Sequence, residues 1–175
     1  KAIYAKIKNF ELSDKSTSYI FITISVVKPI KIEAGCYFFI KCDNISKLQS
    51  HPLSLVYESY GNLVFCVKNM GKNSWSNKLI ELENNDNLYS VNDLSLQGPY
   101  SHIKLNYNYS YILNIANGIG ITPFISILQE IEEKNIKSLL IWIIPDISFF
   151  IPFKDIFEKM VSTRVKIYLT KESEN

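Results

Sequence analysis

The chain has 175 residues, 47% of them hydrophobic and 21% charged, with a formal net charge of +2. That length can bury a core and suits one domain or two small ones, and the composition excludes a disordered chain. The balanced charge gives no footing for nucleic acid, and no run of about twenty apolar residues is present to span a bilayer as a helix. Three cysteines and two histidines, with no short C-x-x-C spacing, argue against a metal site and for reduced thiols. The chain begins at Lys1 and not at a methionine, which fits a processed protein or a piece of a longer one.

In chain order, the first hundred residues read as β-structure. Ala2 to Phe10 alternates apolar and polar residues, and Tyr19 to Val27 is β-branched and aromatic. Lys31 to Cys42 carries Gly35 as a turn before the strand Cys36–Ile40. Pro52–Tyr57 and Leu63–Lys68 flank the turn-like Ser59-Tyr60-Gly61-Asn62 and predict a hairpin. A helix is expected near Ser74–Leu82, just after Gly71, and Leu88–Gln97 closes the set. Six strands at short spacing predict an antiparallel barrel. Gly98-Pro99-Tyr100 reads as a rigid turn.

The pattern then changes. A strand over Tyr109–Ala116 leads through Asn117-Gly118-Ile119-Gly120-Ile121 to a helix from Thr122 to about Lys134, with Pro123 in its first turn. Phe124, Ile127, Leu128 and Ile131 form its apolar stripe. A strand over Ser138–Ile144, a helix near Phe153–Met160 and a strand over Arg164–Thr170 complete a βαβαβ order, the signature of a parallel sheet. The expected fold is thus an all-β antiparallel six-stranded barrel, residues 1–104, followed by a partial α/β nucleotide-binding domain with a parallel sheet, residues 105–175.

Three places could carry chemistry. The strand–glycine–helix turn at Gly118, Gly120, Thr122 and Pro123 offers backbone N–H groups and the positive end of a helix dipole to a phosphate, or is an ordinary tight turn. Val67-Lys68-Asn69-Met70-Gly71 running into Ser74-Trp75-Ser76 is a second strand end, glycine turn and hydroxyl-bearing helix start. Its alternative is a helix merely capped by Ser74 or Ser76. His51-Pro52-Leu53-Ser54 could set an apolar wall and a hydroxyl against a flat ring, or be a surface histidine ahead of an edge strand.

In this order the motifs resemble the FAD/NADPH dehydrogenase module of the ferric reductase and NADPH oxidase superfamily, a branch of the ferredoxin reductase-like flavoproteins. Gln49-Ser50-His51-Pro52-Leu53-Ser54 stands where the family has His-Pro-Phe-Ser/Thr. Val67–Leu79, Gly98-Pro99-Tyr100, Gly118–Phe124 and Trp142-Ile143-Ile144-Pro145-Asp146 follow in family order. The resemblance implies a barrel holding FAD through His51, Pro52, Leu53, Ser54, Val67, Lys68, Gly71 and Ser76. It implies an α/β domain holding NADPH at Gly118, Gly120, Thr122 and Pro123. No residue need act as a general acid or base, and no protein-bound metal is expected.

By the same resemblance, electrons would pass to haem in a separate membrane domain of the full-length protein, with this module on the cytosolic face. The acceptor would be ferric or cupric ions. The alternatives are a superoxide-producing NADPH oxidase module, a soluble flavin reductase without a membrane partner, or a degenerate FAD-domain module without turnover. Three departures stand out: Asn117 where the family usually has glycine, Ser101 after Gly-Pro-Tyr, and Pro145 where many relatives have arginine. The second domain is also expected to be truncated, because the family's Cys-Gly-Pro loop does not follow Thr170.

Overall fold

A computed structural model describes residues 3–5, 7–13, 19–84, 94–101 and 105–171. The chain divides into two compact units, Lys1–His102 and Ile103–Asn175.

The first unit is one antiparallel sheet of seven strands: β1 (Ile3–Ala5), β2 (Ile7–Ser13), β3 (Tyr19–Val26), β4 (Tyr37–Cys42), β5 (His51–Ser59), β6 (Asn62–Lys68) and β7 (Leu94–Tyr100). Their order is β1-β7-β4-β5-β6-β3-β2. Six strands were expected; the count differs because the first apolar stretch is described as two strands, β1 and β2. Its first half pairs with β7 and its second with β3, in the registers Ile3↔Gly98 and Ser13↔Phe21. The predicted strand over Leu88–Gln97 is described only from Leu94, and residues 88–93 lie outside the described residues.

The alternation in the sequence becomes the core. Ile20, Ile22 and Ile24 of β3, Phe38 and Ile40 of β4, and Leu63, Phe65 and Val67 of β6 form one buried cluster with Trp75 and Leu79 of the helix α1 (Trp75–Asn84). The predicted hairpin turn is present: Tyr60 and Gly61 both have positive φ (50° and 81°) between the paired Ser59 and Asn62. That is the two-residue loop whose twist suits a hairpin.

Gly98-Pro99-Tyr100 corrects an expectation. It is the end of β7 and not a turn. Glycine is required there for room, since a Cβ at Gly98 would stand 2.6 Å from the Phe38 ring.

The second unit holds three parallel strands, β8 (Tyr111–Asn117), β9 (Lys137–Ile144) and β10 (Thr163–Leu169), in the order β10-β9-β8. Helix α2 (Thr122–Glu133) joins β8 to β9, and α3 (Lys154–Glu158) precedes β10. The α2 core contacts are made by Ile125, Ile127, Leu128 and Ile131; Phe124 is only half-buried. The helix expected over Phe153–Met160 is shorter than predicted. Two 3-10 turns, Ile147–Phe149 and Ile151–Phe153, take up the approach, the second with Pro152 in its first turn. One sheet face buries Asn114, Ala116, Leu140, Trp142 and Ile144, while Tyr111, Leu113 and Ile115 on the other face of β8 are exposed.

Candidate functional site

Strand β5 builds the first site by changing partners partway along its length. His51–Ser54 pair with β4, whereas Leu55–Ser59 pair with β6. A register shift between Leu55 and Tyr57 marks the exchange. The β5–β6 ladder therefore stops at Leu55↔Phe65, and the segments His51–Ser54 and Cys66–Lys68 part. Pro52 sits where the missing N–H costs no ladder bond to β6.

Strand alternation splits the four predicted residues between two faces. Leu53 packs against the core cluster, and the His51 ring stacks on Trp75 (centroids 4.4 Å apart, planes 29° apart). Pro52 and Ser54 lie on the other face, opposite Phe39 and Tyr37 in register. There Tyr37, Phe39 and Tyr100 form an aromatic triad with centroids 5.4 to 5.8 Å apart. Sequence reasoning missed this triad. The signal was present in Tyr37-Phe38-Phe39, because alternation sends the outer two aromatics away from the core.

Beyond β6, Gly71 (φ 91°) and Asn73 (φ 68°) turn the chain into α1. Ser74 caps that helix by accepting from the Asn77 N–H at 3.1 Å. Ser76 is buried, and its hydroxyl accepts from the Met70 N–H at 2.9 Å and lies 3.1 Å from the Ser74 hydroxyl. The Ser76 side chain thus ties the loop to the helix. A Cβ at Gly71 would meet nothing within 4 Å, so the space above it is open. Val67 belongs to the core, and Lys68 is exposed at the strand end.

In the second unit, Gly118 (φ 52°) opens a 3-10 turn, Gly118–Ile121, that runs directly into α2. The N-terminus of this helical stretch has no side-chain cap. Asn117 is extended (φ −127°), so the glycine it replaces is not needed for a left-handed backbone. Thr122 is buried, and its hydroxyl donates to the Ile119 carbonyl at 3.1 Å. It shapes the turn from inside. Gly120 is exposed, and a Cβ there would meet nothing within 4 Å. Asp146, just past β9, accepts from the Ser148 N–H at 3.0 Å. Ser148, with help from Lys171, holds its carboxyl below the usual range.

Residues 4–104 match the family described as FAD-binding domain, and residues 109–175 the family described as ferric reductase NAD binding domain. The chain belongs to this FAD-binding domain family. Among curated proteins it is 28% identical over 153 residues to ferric reduction oxidase 8, mitochondrial, of Arabidopsis thaliana, covering 78% of this chain and 21% of that one. It is also 28% identical over 160 residues to NADPH oxidase 3 of Rattus norvegicus, covering 81% and 28%. The chain thus spans about a quarter of the length of such relatives. Its fold is shared with the ferredoxin reductase of carbazole 1,9a-dioxygenase (TM-score 0.77, 15% identity, 99% of this chain and 52% of that one). The FAD/NAD binding domain of nitric oxide dioxygenase from Vibrio cholerae O1 biovar El Tor has the same fold (TM-score 0.72, 15% identity, 98% and 76%).

The FAD-binding domain offers a fit for its cofactor. His51 Nε2 and Trp75 Nε1 are buried without a protein partner. Indole N–H is a donor only, so the partner it lacks is an acceptor. Leaving such atoms unpaired costs about 1–3 kcal/mol each. Burial also pushes the His51 imidazole below its usual pKa, which keeps the ring neutral. No helix among the described residues is long and apolar enough to cross a membrane. Cys36, Cys42 and Cys66 are buried, and no disulfide joins them.

Proposed function

We propose that the chain is the flavin dehydrogenase module of a membrane ferric or cupric reductase, taking hydride from NADPH and passing single electrons to haem in a membrane domain of the same protein. The observation that carries the FAD half is the parted β5–β6 ladder beside two buried ring nitrogens that have no protein partner. Chemistry that the side chains lack, taking up two electrons together and giving them up singly, is what a bound flavin supplies.

The residues bind and orient. Pro52 and Ser54 form the ring wall on the outer face, bordered by Tyr37 and Tyr100, with the Ser54 hydroxyl at the ring edge. His51 and Trp75 meet the ribityl–phosphate portion from the inner face. The Gly71 turn and the first N–H groups of α1 take the phosphates, with Val67, Lys68 and Ser76 setting the shape of that loop. In the second unit, Gly118 and Gly120 present backbone N–H groups to the nucleotide pyrophosphate, while Thr122 and Pro123 hold the turn. The β1-to-β2 stretch, paired at both ends of the sheet order, supports reading the first unit as a closed barrel. A place on the cytosolic side of a membrane belongs to the same reading, with the haem in the membrane domain.

A superoxide-producing oxidase is the second reading, supported by the equal 28% identity to NADPH oxidase 3. The test is titration of the chain with FAD. We expect one equivalent to bind with a shifted flavin spectrum, and Trp75→Phe to weaken binding about tenfold while keeping the ring stack. No binding at micromolar FAD, or unchanged affinity in Trp75→Phe, refutes the assignment.

A further inference from the structure

Trp142 carries a polar atom that its place in the core does not require. It is fully buried in the middle of β9, in register with Ala116 of β8, and its ring lies 5.6 Å from Phe153 and 5.8 Å from Phe157. Phenylalanine would meet the apolar demand of this position with no donor to satisfy. The indole N–H is instead committed to one acceptor, the Gly118 carbonyl, at 2.9 Å.

Gly118 is the residue of this turn with a left-handed backbone, and a Cβ there would meet nothing within 4 Å. The peptide that follows it lies in the 3-10 turn Gly118–Ile121, and no side chain on Gly118 helps to hold it at the turn's first residue. That peptide is planar and trans, so the Ile119 N–H points opposite to the Gly118 carbonyl. Holding the carbonyl on the indole turns the N–H away from the core, at the uncapped start of the helical stretch. Thr122 treats the next carbonyl in the same way, donating to Ile119 O at 3.1 Å. Two successive carbonyls thus each take a side-chain donor, the second in addition to the Thr122 backbone N–H.

We propose that Trp142 is a positioning residue for the nicotinamide nucleotide: its indole N–H locks the Gly118–Ile119 peptide so that an N–H, and not a carbonyl, faces the pyrophosphate. This rests on the reading of Gly118–Pro123 as the nucleotide site. A flipped peptide would turn partial negative charge toward an anion, and the lock prevents it.

The test uses the full chain, with NADPH binding measured by calorimetry and Trp142 indole N–H exchange by NMR. In the unaltered chain the indole proton is expected to be protected from solvent exchange before any nucleotide is added. Trp142→Phe is expected to weaken NADPH about tenfold and to leave FAD affinity unchanged. Phe153→Leu, which keeps the indole, is expected to lower the melting temperature yet bind NADPH within about twofold, which separates loss of the bond from loss of packing. An indole proton that exchanges freely overturns the inference, as does normal NADPH affinity in Trp142→Phe or an equal loss in Phe153→Leu. A protected indole in an unaltered chain that binds no NADPH refutes the nucleotide reading and this role with it.

Discussion

Replacing Gly120 by alanine separates a glycine kept for the backbone from one kept for a ligand. Gly118 needs its freedom: with φ at 52°, an alanine there costs about 1–2 kcal/mol of stability. Gly120 has no such need. It lies in the 3-10 turn without a positive φ, and a Cβ would find open space for 4 Å. Alanine at a helical position gains up to about 1 kcal/mol over glycine. In a unit of the size of residues 103–175, that raises the melting temperature by roughly 4–8 °C at most. The same methyl group would stand where a pyrophosphate approaches the backbone. Losing one hydrogen bond to a charged group costs about 1.5–3 kcal/mol, or roughly 10- to 150-fold in affinity. The assay pairs thermal unfolding with calorimetric titration by NADPH. Gly120→Ala is expected to be as stable as the unaltered chain or more so, and to bind poorly. A Gly120→Ala chain that melts as low as Gly118→Ala would show that the space is not open. Full NADPH affinity in Gly120→Ala would show that no phosphate approaches there.

Acid should weaken the first unit through His51. Its folded pKa lies below the usual 6.5, so the unfolded chain takes up a proton first, and stability falls as pH drops from 6.5 toward the folded value. Denaturant midpoints measured between pH 7.5 and 5 should show this slope, and His51→Phe should flatten it; an unchanged slope refutes the assignment. The three cysteines should resist iodoacetamide at pH 8 in the folded protein and react only on unfolding. Burial raises the Cys36 thiol to about 11 and pushes Cys66 higher still. Alkylation of Cys36 in the folded chain at the rate of a free thiol would contradict this.

Local pattern made much of the fold legible. Period-two alternation placed β3, β4 and β6, Tyr60-Gly61 marked the hairpin, and Pro123 marked the start of α2. What failed was information that only pairing creates. The exchange of partners at Leu55 is set by β4 and β6 together, so the sequence of β5 could not announce where His51–Ser54 part from β6. The Gly98-Pro99 pair signalled a turn, yet the deciding contact is with Phe38, sixty residues earlier. Ser76 was read as part of a phosphate cradle or a helix cap, and Thr122 as part of a phosphate-binding turn; both are buried and bonded within their own turns. Asn117 drew concern as a lost glycine, when the strain sits one residue later on Gly118.

The pairing of Ile3 with Gly98 sets a timetable for assembly. Strand pairs in the second unit join residues 26 apart between β8 and β9 (Tyr111↔Lys137) and 25 apart between β9 and β10 (Ser138↔Thr163), so each βαβ step closes soon after it is made. The first unit joins residues 95 positions apart, from the opening strand to the end of β7. Non-local closure of that kind slows folding, because the loop entropy is lost before the contacts form. On the ribosome, β3 to β6 can pair while β1 waits for β7 to emerge. The proposed flavin site at the β4–β5–β7 corner is therefore completed late, and the seam between β1 and β7 is the part of the unit most exposed to misassembly while it waits.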